Sequence, residues 1–309
     1  MKHFKRLFFP DILNHCYQNT FGGQLLFYNY SDYIVYFTIL CTCATDEDVR
    51  LVAVCQMPDH VHNGVIASTV ESLTRFFRRV NIMFANTDAR VTNRVGHLFN
   101  SPFGSAPKTT SKKQRTNVIY IGNNPVERKL TKRAIDYRWN YLAYYNNDHP
   151  FSEKLVIRRA SPQMKKAIQA IKNLHNQNRP VTYELLQILF RSLDRREGLQ
   201  LIDYIITTYN VIDYQYSIDL FGSFDKMLLA MDSTTGSEYD IKEEFTGKSD
   251  LCYEEITRWL FSRLPIKDIH EIFAKSPEDR FDLAVEISRE LGINLRQLTK
   301  FFRLSYKTI

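Results

Sequence analysis

Met57-Pro58-Asp59-His60-Val61-His62 is the stretch on which the reading of this chain turns. The β-formers Leu51-Val52-Ala53-Val54-Cys55 run into it, and Val65-Ile66 follow. Residues two apart on a strand point to the same face, so His60 and His62 face the same way. Two neutral imidazoles side by side on a rigid strand are half of a site for a divalent cation. The same spacing also serves packing, so a second element has to decide between the two.

That element is Tyr120-Ile121-Gly122-Asn123-Asn124-Pro125-Val126. On a helix, Tyr120 and Asn124 at i and i+4 share a face. A tyrosine hydroxyl beside an amide oxygen supplies a nucleophile and a third metal ligand. The chain has 18 tyrosines, so a tyrosine alone means little. Tyr120 is set apart by Asn124-Pro125 and the upstream histidines, whereas Tyr137, Tyr141, Tyr144 and Tyr145 read as packing or stacking residues.

Together the two segments resemble the REP-associated tyrosine transposases of the HUH single-tyrosine transposase superfamily. The family's "MPNHVH" strand, "YIHxNPV" helix and Trp-containing helix correspond here to Met57–His62, Tyr120–Val126 and Tyr137-Arg138-Trp139-Asn140-Tyr141. The resemblance spans roughly residues 15–145. It implies an α+β fold, an antiparallel sheet with packed helices (HUH nuclease, ferredoxin- or RRM-like), followed in this chain by an all-α C-terminal extension. It also implies a metal-dependent single-stranded DNA endonuclease and strand transferase. Mg²⁺ or Mn²⁺ would be held by His60, His62 and the Asn124 side-chain oxygen. Tyr120 would attack phosphorus and leave a 5′-phosphotyrosine.

The chain departs from the family pattern in two places. Asn63-Gly64 stands where family members usually carry two aliphatic residues, and reads as a tight turn or strand kink. Gly96-His97-Leu98-Phe99 matches a "GHLFQ" segment and implies a strand. The basic and aromatic positions that follow are replaced by Ser101-Pro102-Phe103-Gly104, which puts the family's DNA contacts there in doubt. His97 reads as a packing or DNA-contact residue. Two other classes remain open: a retired DNA-binding protein of the same fold, and a replication initiator or relaxase. The latter often carries a helicase, and this chain has no P-loop motif.

The formal charge is +7, and residues 101–139 hold nine Lys/Arg against Glu127 and Asp136, a surplus equal to the whole net charge. A basic zone around Tyr120 points to a polyanion, since phosphate neutralisation drives nucleic-acid affinity. Single-stranded or hairpin DNA is the expected partner. Its contacts are assigned to Lys112, Lys113 and Arg115, in what reads as a loop over 86–116, and to Arg128, Lys129, Lys132 and Arg133. Arg75, Arg78 and Arg79 join them from a helix that Ser68-Thr69-Val70-Glu71 opens as a capping box. That helix has an apolar stripe of Leu73, Phe76, Phe77, Val80 and Phe84.

At 309 residues, 44% hydrophobic and 24% charged, the chain has room for two or three domains. Residues 1–150 read as the HUH-like domain, 151–232 as a helical extension, 233–250 as an acidic linker and 251–309 as a small helical domain. Tyr33–Cys43 carries conflicting signals, β-branched residues against helical spacing, and is taken as helix with Ser31 or Asp32 as cap. Helices over 276–292 and from Asn294 through Phe302 resemble a helix-turn-helix whose recognition helix would open at Ser305, one turn before the end. A three-helix bundle fits equally. No run of about 18 apolar residues occurs, so no membrane span is expected. Five cysteines in mostly apolar segments read as reduced core residues of a cytoplasmic protein. Monomer and homodimer both stay open.

Overall fold

The structure is a computed structural model that describes residues 7–100, 102–234 and 249–304. The conflict over residues 33–43 resolves as helix. In α1 (Tyr30–Asp46) thirteen of seventeen residues are buried. A helix apolar all round belongs in the middle of a structure, and packing there overrides the weak propensity of its β-branched residues. Its cap is Asn29, not Ser31 or Asp32. Asn29 Oδ1 accepts from the Asp32 N–H at 3.1 Å, and the Asp32 carboxylate accepts from the Asn29 N–H at 3.2 Å.

The chain has an α+β fold. Its antiparallel sheet runs β2-β3-β1-β4, from β1 (Asn14–Asn19), β2 (Arg50–Met57), β3 (His60–Ile66) and β4 (Gly104–Pro107). The histidine pair opens β3 and does not lie on the strand that begins near Leu51. Pro58 and Asp59 turn the chain back, so the motif is the tip of a hairpin. Asn63-Gly64 is not a turn but the middle of β3, with Gly64 opposite His15 and Ala53. A Cβ on Gly64 would meet Leu13, Val52 and Ala53 at 3.2–3.3 Å, so close approach explains the glycine. Residues 96–99 form no strand; Phe99 makes a single bridge to Thr20, and the edge strand lies further on, at β4.

The two faces of the sheet carry different helices. α2 (Val70–Thr92), capped by Thr69 rather than Ser68, lies on the face of Gln18, whose side chain accepts from Asn81 at 2.8 Å. Its predicted stripe is buried. α3 (Ser111–Glu127) lies on the opposite face, that of His15 and His62. Thr110 caps it, so Lys112, Lys113 and Arg115 are helical and not in a loop. The expected helix around Trp139 is replaced by three short 3-10 turns, Ala134–Asp136, Arg138–Asn140 and Leu142–Tyr144, with Tyr141 in the left-handed region at φ 63°. Trp139 stacks on Tyr33 at 4.3 Å and Tyr141 on Phe37 at 4.0 Å. Burying both rings against α1 outweighs a regular helix.

Beyond residue 150 come α4 (Pro162–Asn176), α5 (Tyr183–Arg191), α6 (Arg195–Tyr209), α7 (Tyr214–Asp219) and α8 (Phe224–Ser233). Ile168, Leu186, Ile205 and Met231 belong to the same buried cluster as α1 and the sheet. The stretch after α6 covers the outer edge of β2. The Asp213 N–H donates to the Leu51 carbonyl and Ser217 Oγ to the Val52 carbonyl, both at 2.7 Å. An edge so covered cannot pair with another chain.

A second core gathers α9 (Cys252–Arg263), α10 (Pro277–Leu291) and α11 (Leu295–Phe302) around Ile256, Leu260, Ile287, Leu298 and Phe301, with Leu25 inserted from the first part of the chain. Most of the predicted acidic linker (residues 235–248), and Ser305, the predicted start of the recognition helix, lie outside the described residues. Three largely buried charged contacts fasten this unit: Arg303 to Asp88 at 2.7 Å, Lys300 to Asp59 at 2.7 Å and His270 to Asp32 at 3.1 Å. Among the described residues no helix is long and apolar enough to cross a membrane.

Burial alone would lower the His270 pKa, but the carboxylates of Asp32 and Asp268 outweigh it and raise the value to about 10. A histidine raised in the folded state gives its full stabilisation below its unfolded pKa of 6.5 and loses it as pH climbs through about 10. His270→Gln should therefore cost on the order of 3 kcal/mol near pH 6, and progressively less as pH rises toward 10. Denaturant titrations across that range check this; a pH-independent loss contradicts it.

Candidate active site

The β1–β3 ladder sets the site. Tyr17 stands opposite His62, Asn19 opposite His60 and His15 opposite Gly64. Opposed residues share a face, so His15 joins the histidine pair. His15 Nε2 lies 3.0 Å from His62 Nδ1, and the His60 and His62 ring centres are 4.8 Å apart. The Tyr120 ring comes down edge-on from α3, 5.3 Å from His62 and 5.5 Å from His15. The four side chains are buried, Tyr120 at 4% exposure. Sequence reading assigned His15 no role. Its two-residue spacing from Tyr17 was the available signal, uninformative until the register is known.

The hairpin tip is held from behind. His60 Nδ1 sits 2.6 Å from Asp59 Oδ1, and Asp59 Oδ2 accepts from Lys300 Nζ at 2.7 Å. Burial pushes the Asp59 carboxyl up, but His60 and Lys300 prevail and hold it well below the usual carboxylate range. Asp250, 3.9 Å from Arg128, is pushed up to about 6 by burial and by the Asp59 charge.

A carboxylate on one imidazole nitrogen fixes the ring's tautomer and orientation, and the other nitrogen becomes the ligating one. With Nδ1 of His60 held by Asp59 and Nδ1 of His62 by His15, Nε2 is the nitrogen through which each ring could bind a cation. Asn124 Nδ2 donates to the Tyr120 carbonyl at 3.1 Å, which leaves Oδ1 as the amide atom that could coordinate a cation. Two imidazoles and an amide oxygen are donors that fit a Mn²⁺-type ion, and Mg²⁺ with water completing its shell. Among the described residues no three His, Cys, Asp or Glu side chains are grouped as a ligand set.

The outer boundary is Tyr17, 38% exposed, whose ring lies over Gly104. A Cβ there would stand 2.2 Å from the ring.

The basic residues divide. Lys112, Lys113 and Arg115 are exposed on the first turns of α3, and Arg128, Lys129, Lys132 and Arg133 follow its other end. Arg133 is paired with Asp232 at 2.8 Å. Arg75 and Arg79 lie on α2, across the sheet from Tyr120, and pair with Glu47 at 2.9 Å and Asp46 at 2.5 Å. Arg78 is exposed on the same helix. The fold does not bring these three to Tyr120.

No family model and no curated protein matches this chain. Among solved structures it is similar to a REP-associated tyrosine transposase bound to a REP hairpin, with 15% identity and a TM-score of 0.41. The match covers 47% of this chain and 84% of that one.

Gly104→Ala should displace the Tyr17 ring and cost about 1–3 kcal/mol, as overpacking does. Urea denaturation measures the loss, and unchanged stability would mean that the ring moves aside freely.

Proposed function

We propose that this chain is a metal-dependent single-stranded DNA endonuclease and strand transferase with Tyr120 as nucleophile. The observation that carries the reading is the Tyr120 ring lodged against His62 and His15, with His60 beside them. A bound Mg²⁺ or Mn²⁺ would supply Lewis acidity at the scissile phosphate and fix the in-line geometry. His60 and His62 would hold it through Nε2 and Asn124 through Oδ1, and the Asp59 carboxylate on Nδ1 would keep His60 oriented for this. Tyr120 Oη forms the bond to phosphorus and the 3′ oxygen leaves, giving a 5′-phosphotyrosine and a 3′-hydroxyl. The phenol proton ends on the departing 3′ oxygen, so the step balances, while His15 holds His62 through its Nδ1.

The motif resemblance names single-stranded or hairpin DNA as substrate, and the charges at the two ends of α3 suit its phosphates. Lysines in the first turn oppose the helix dipole, an arrangement that an anion relieves. The two clusters stand at opposite ends of a helix of 17 residues, about 25 Å at 1.5 Å per residue, long enough to lay several nucleotides along it.

The burial of Tyr120 favours a second reading, a DNA-binding protein of this fold that does not cut. One experiment separates the two. Wild-type chain incubated with Mn²⁺ and 3′-labelled hairpin oligonucleotides should form a covalent adduct, and Tyr120→Phe should bind the same strands without forming it. His60→Ala and His62→Ala should each weaken Mn²⁺ binding at least about tenfold in calorimetry. An adduct on Tyr120→Phe moves the nucleophile elsewhere; binding without adduct in the wild type selects the second reading.

A further inference from the structure

A cavity of about 460 Å³ lies between residues 21–24 and 92–97 on one side and the α10–α11 unit on the other. Phe21, Arg94, His97, Phe273, Arg280 and Arg303 line it. Behind the wall, two guanidiniums share one carboxylate. Arg303 donates to Asp88 Oδ1 at 2.7 Å and Oδ2 at 3.2 Å, and Arg94 Nε to Oδ2 at 2.9 Å. Their side chains are 5%, 3% and 11% exposed for Arg303, Asp88 and Arg94. A triad of two cations on one anion leaves a positive charge uncompensated in a buried place, which is costly without a counter-ion.

Arg280 adds a second cation. Its Nη1 donates to the Phe302 carbonyl at 2.6 Å, while its buried Nε has no hydrogen-bond partner among the described residues. Burial and then Arg303 lower the Arg280 pKa, against Tyr28 and Glu278, which raise it. Of these, Glu278 is exposed, in the first turn of α10. The chain thus presents two surplus positive charges to a cavity with room for an oxyanion.

We propose that this cavity binds a phosphate group, with Arg280 as its direct contact and the Arg94–Asp88–Arg303 triad as a fixed positive wall. A planar guanidinium suits phosphate geometry, and a triad already locked by Asp88 needs no rearrangement to receive it. The phosphate belongs to a nucleic-acid strand, because the cavity's walls run on into residues that contact the histidine hairpin. Phe21 is two residues beyond Asn19, which pairs with His60, and Lys300, three residues before Arg303, contacts Asp59. Phe21 is 55% exposed and offers the neighbouring base a ring to stack on. The assignment to a strand rests on the function proposed above; the anion site itself does not.

Pyrophosphate is the probe for the site, with no cleavage involved. It should raise the melting temperature of the wild-type chain by about 2–4 °C and leave Arg280→Gln unmoved. Arg280→Lys, which keeps the charge and loses the fork, should respond weakly. Equal shifts in wild type and Arg280→Gln, or none in either, overturn the site. With single-stranded oligonucleotides, Arg280→Gln should flatten the slope of log affinity against log salt by about 0.7. A neutral methylphosphonate at the contacted position should erase the difference between the two proteins. Pyrophosphate binding with an unchanged oligonucleotide slope overturns the strand assignment and makes a free polyphosphate the ligand.

Discussion

The register of β3 between β1 and β2 is the constraint on which the rest depends. It aligns His60 with Asn19, His62 with Tyr17 and Gly64 with His15. A slip of one residue would turn both histidines toward α2 and put Val61 and Asn63 beneath Tyr120. Two ladders oppose the slip. So does Gly64, where a Cβ would press on Leu13, Val52 and Ala53 at 3.2–3.3 Å. The glycine in the middle of β3 is therefore part of how the sheet packs beneath the site.

The second core is tied to this site by charge. Arg303 and His270 lie in buried ionic networks with Asp88 and Asp32, and Lys300 extends to Asp59 behind His60. Buried ion pairs are costly to desolvate, and breaking one leaves a stranded charge. Their clearest effect here is geometric. They fix where α11 stands, and α11 in turn fixes the carboxylate that orients His60. The residues that fasten the C-terminal helices thus also shape the site and the basic cavity beside it.

Local chemistry made much of this legible. The His-x-His spacing, the Tyr120–Asn124 pair and the periodic stripe of α2 each encode a face, and a face survives whatever the tertiary context. Helix was also the right reading of Tyr33–Cys43, although the cap lay at Asn29. What escaped was set by contacts distant in sequence. Asn63-Gly64 has the composition of a turn, but the two flanking strands make it the centre of a sheet. The family resemblance implied a helix around Trp139, but Trp139 and Tyr141 gain more by stacking on α1. The role of His15, and the meeting of Lys300 with Asp59, depend on register and docking, which no local pattern carries. Lys112, Lys113 and Arg115 looked like loop residues because Thr110, the cap that opens their helix, sits in a run of small polar residues.

The central claim is that the histidine cluster and Tyr120 form a single reaction centre. Its most direct test is to digest the protein–DNA adduct formed with Mn²⁺ and a hairpin oligonucleotide and to sequence the nucleotide-bearing peptide by tandem mass spectrometry. The account predicts the nucleotide on Tyr120, within the tryptic peptide that runs from Thr116 to Arg128. A nucleotide on Tyr17, Tyr137 or any other residue would contradict it.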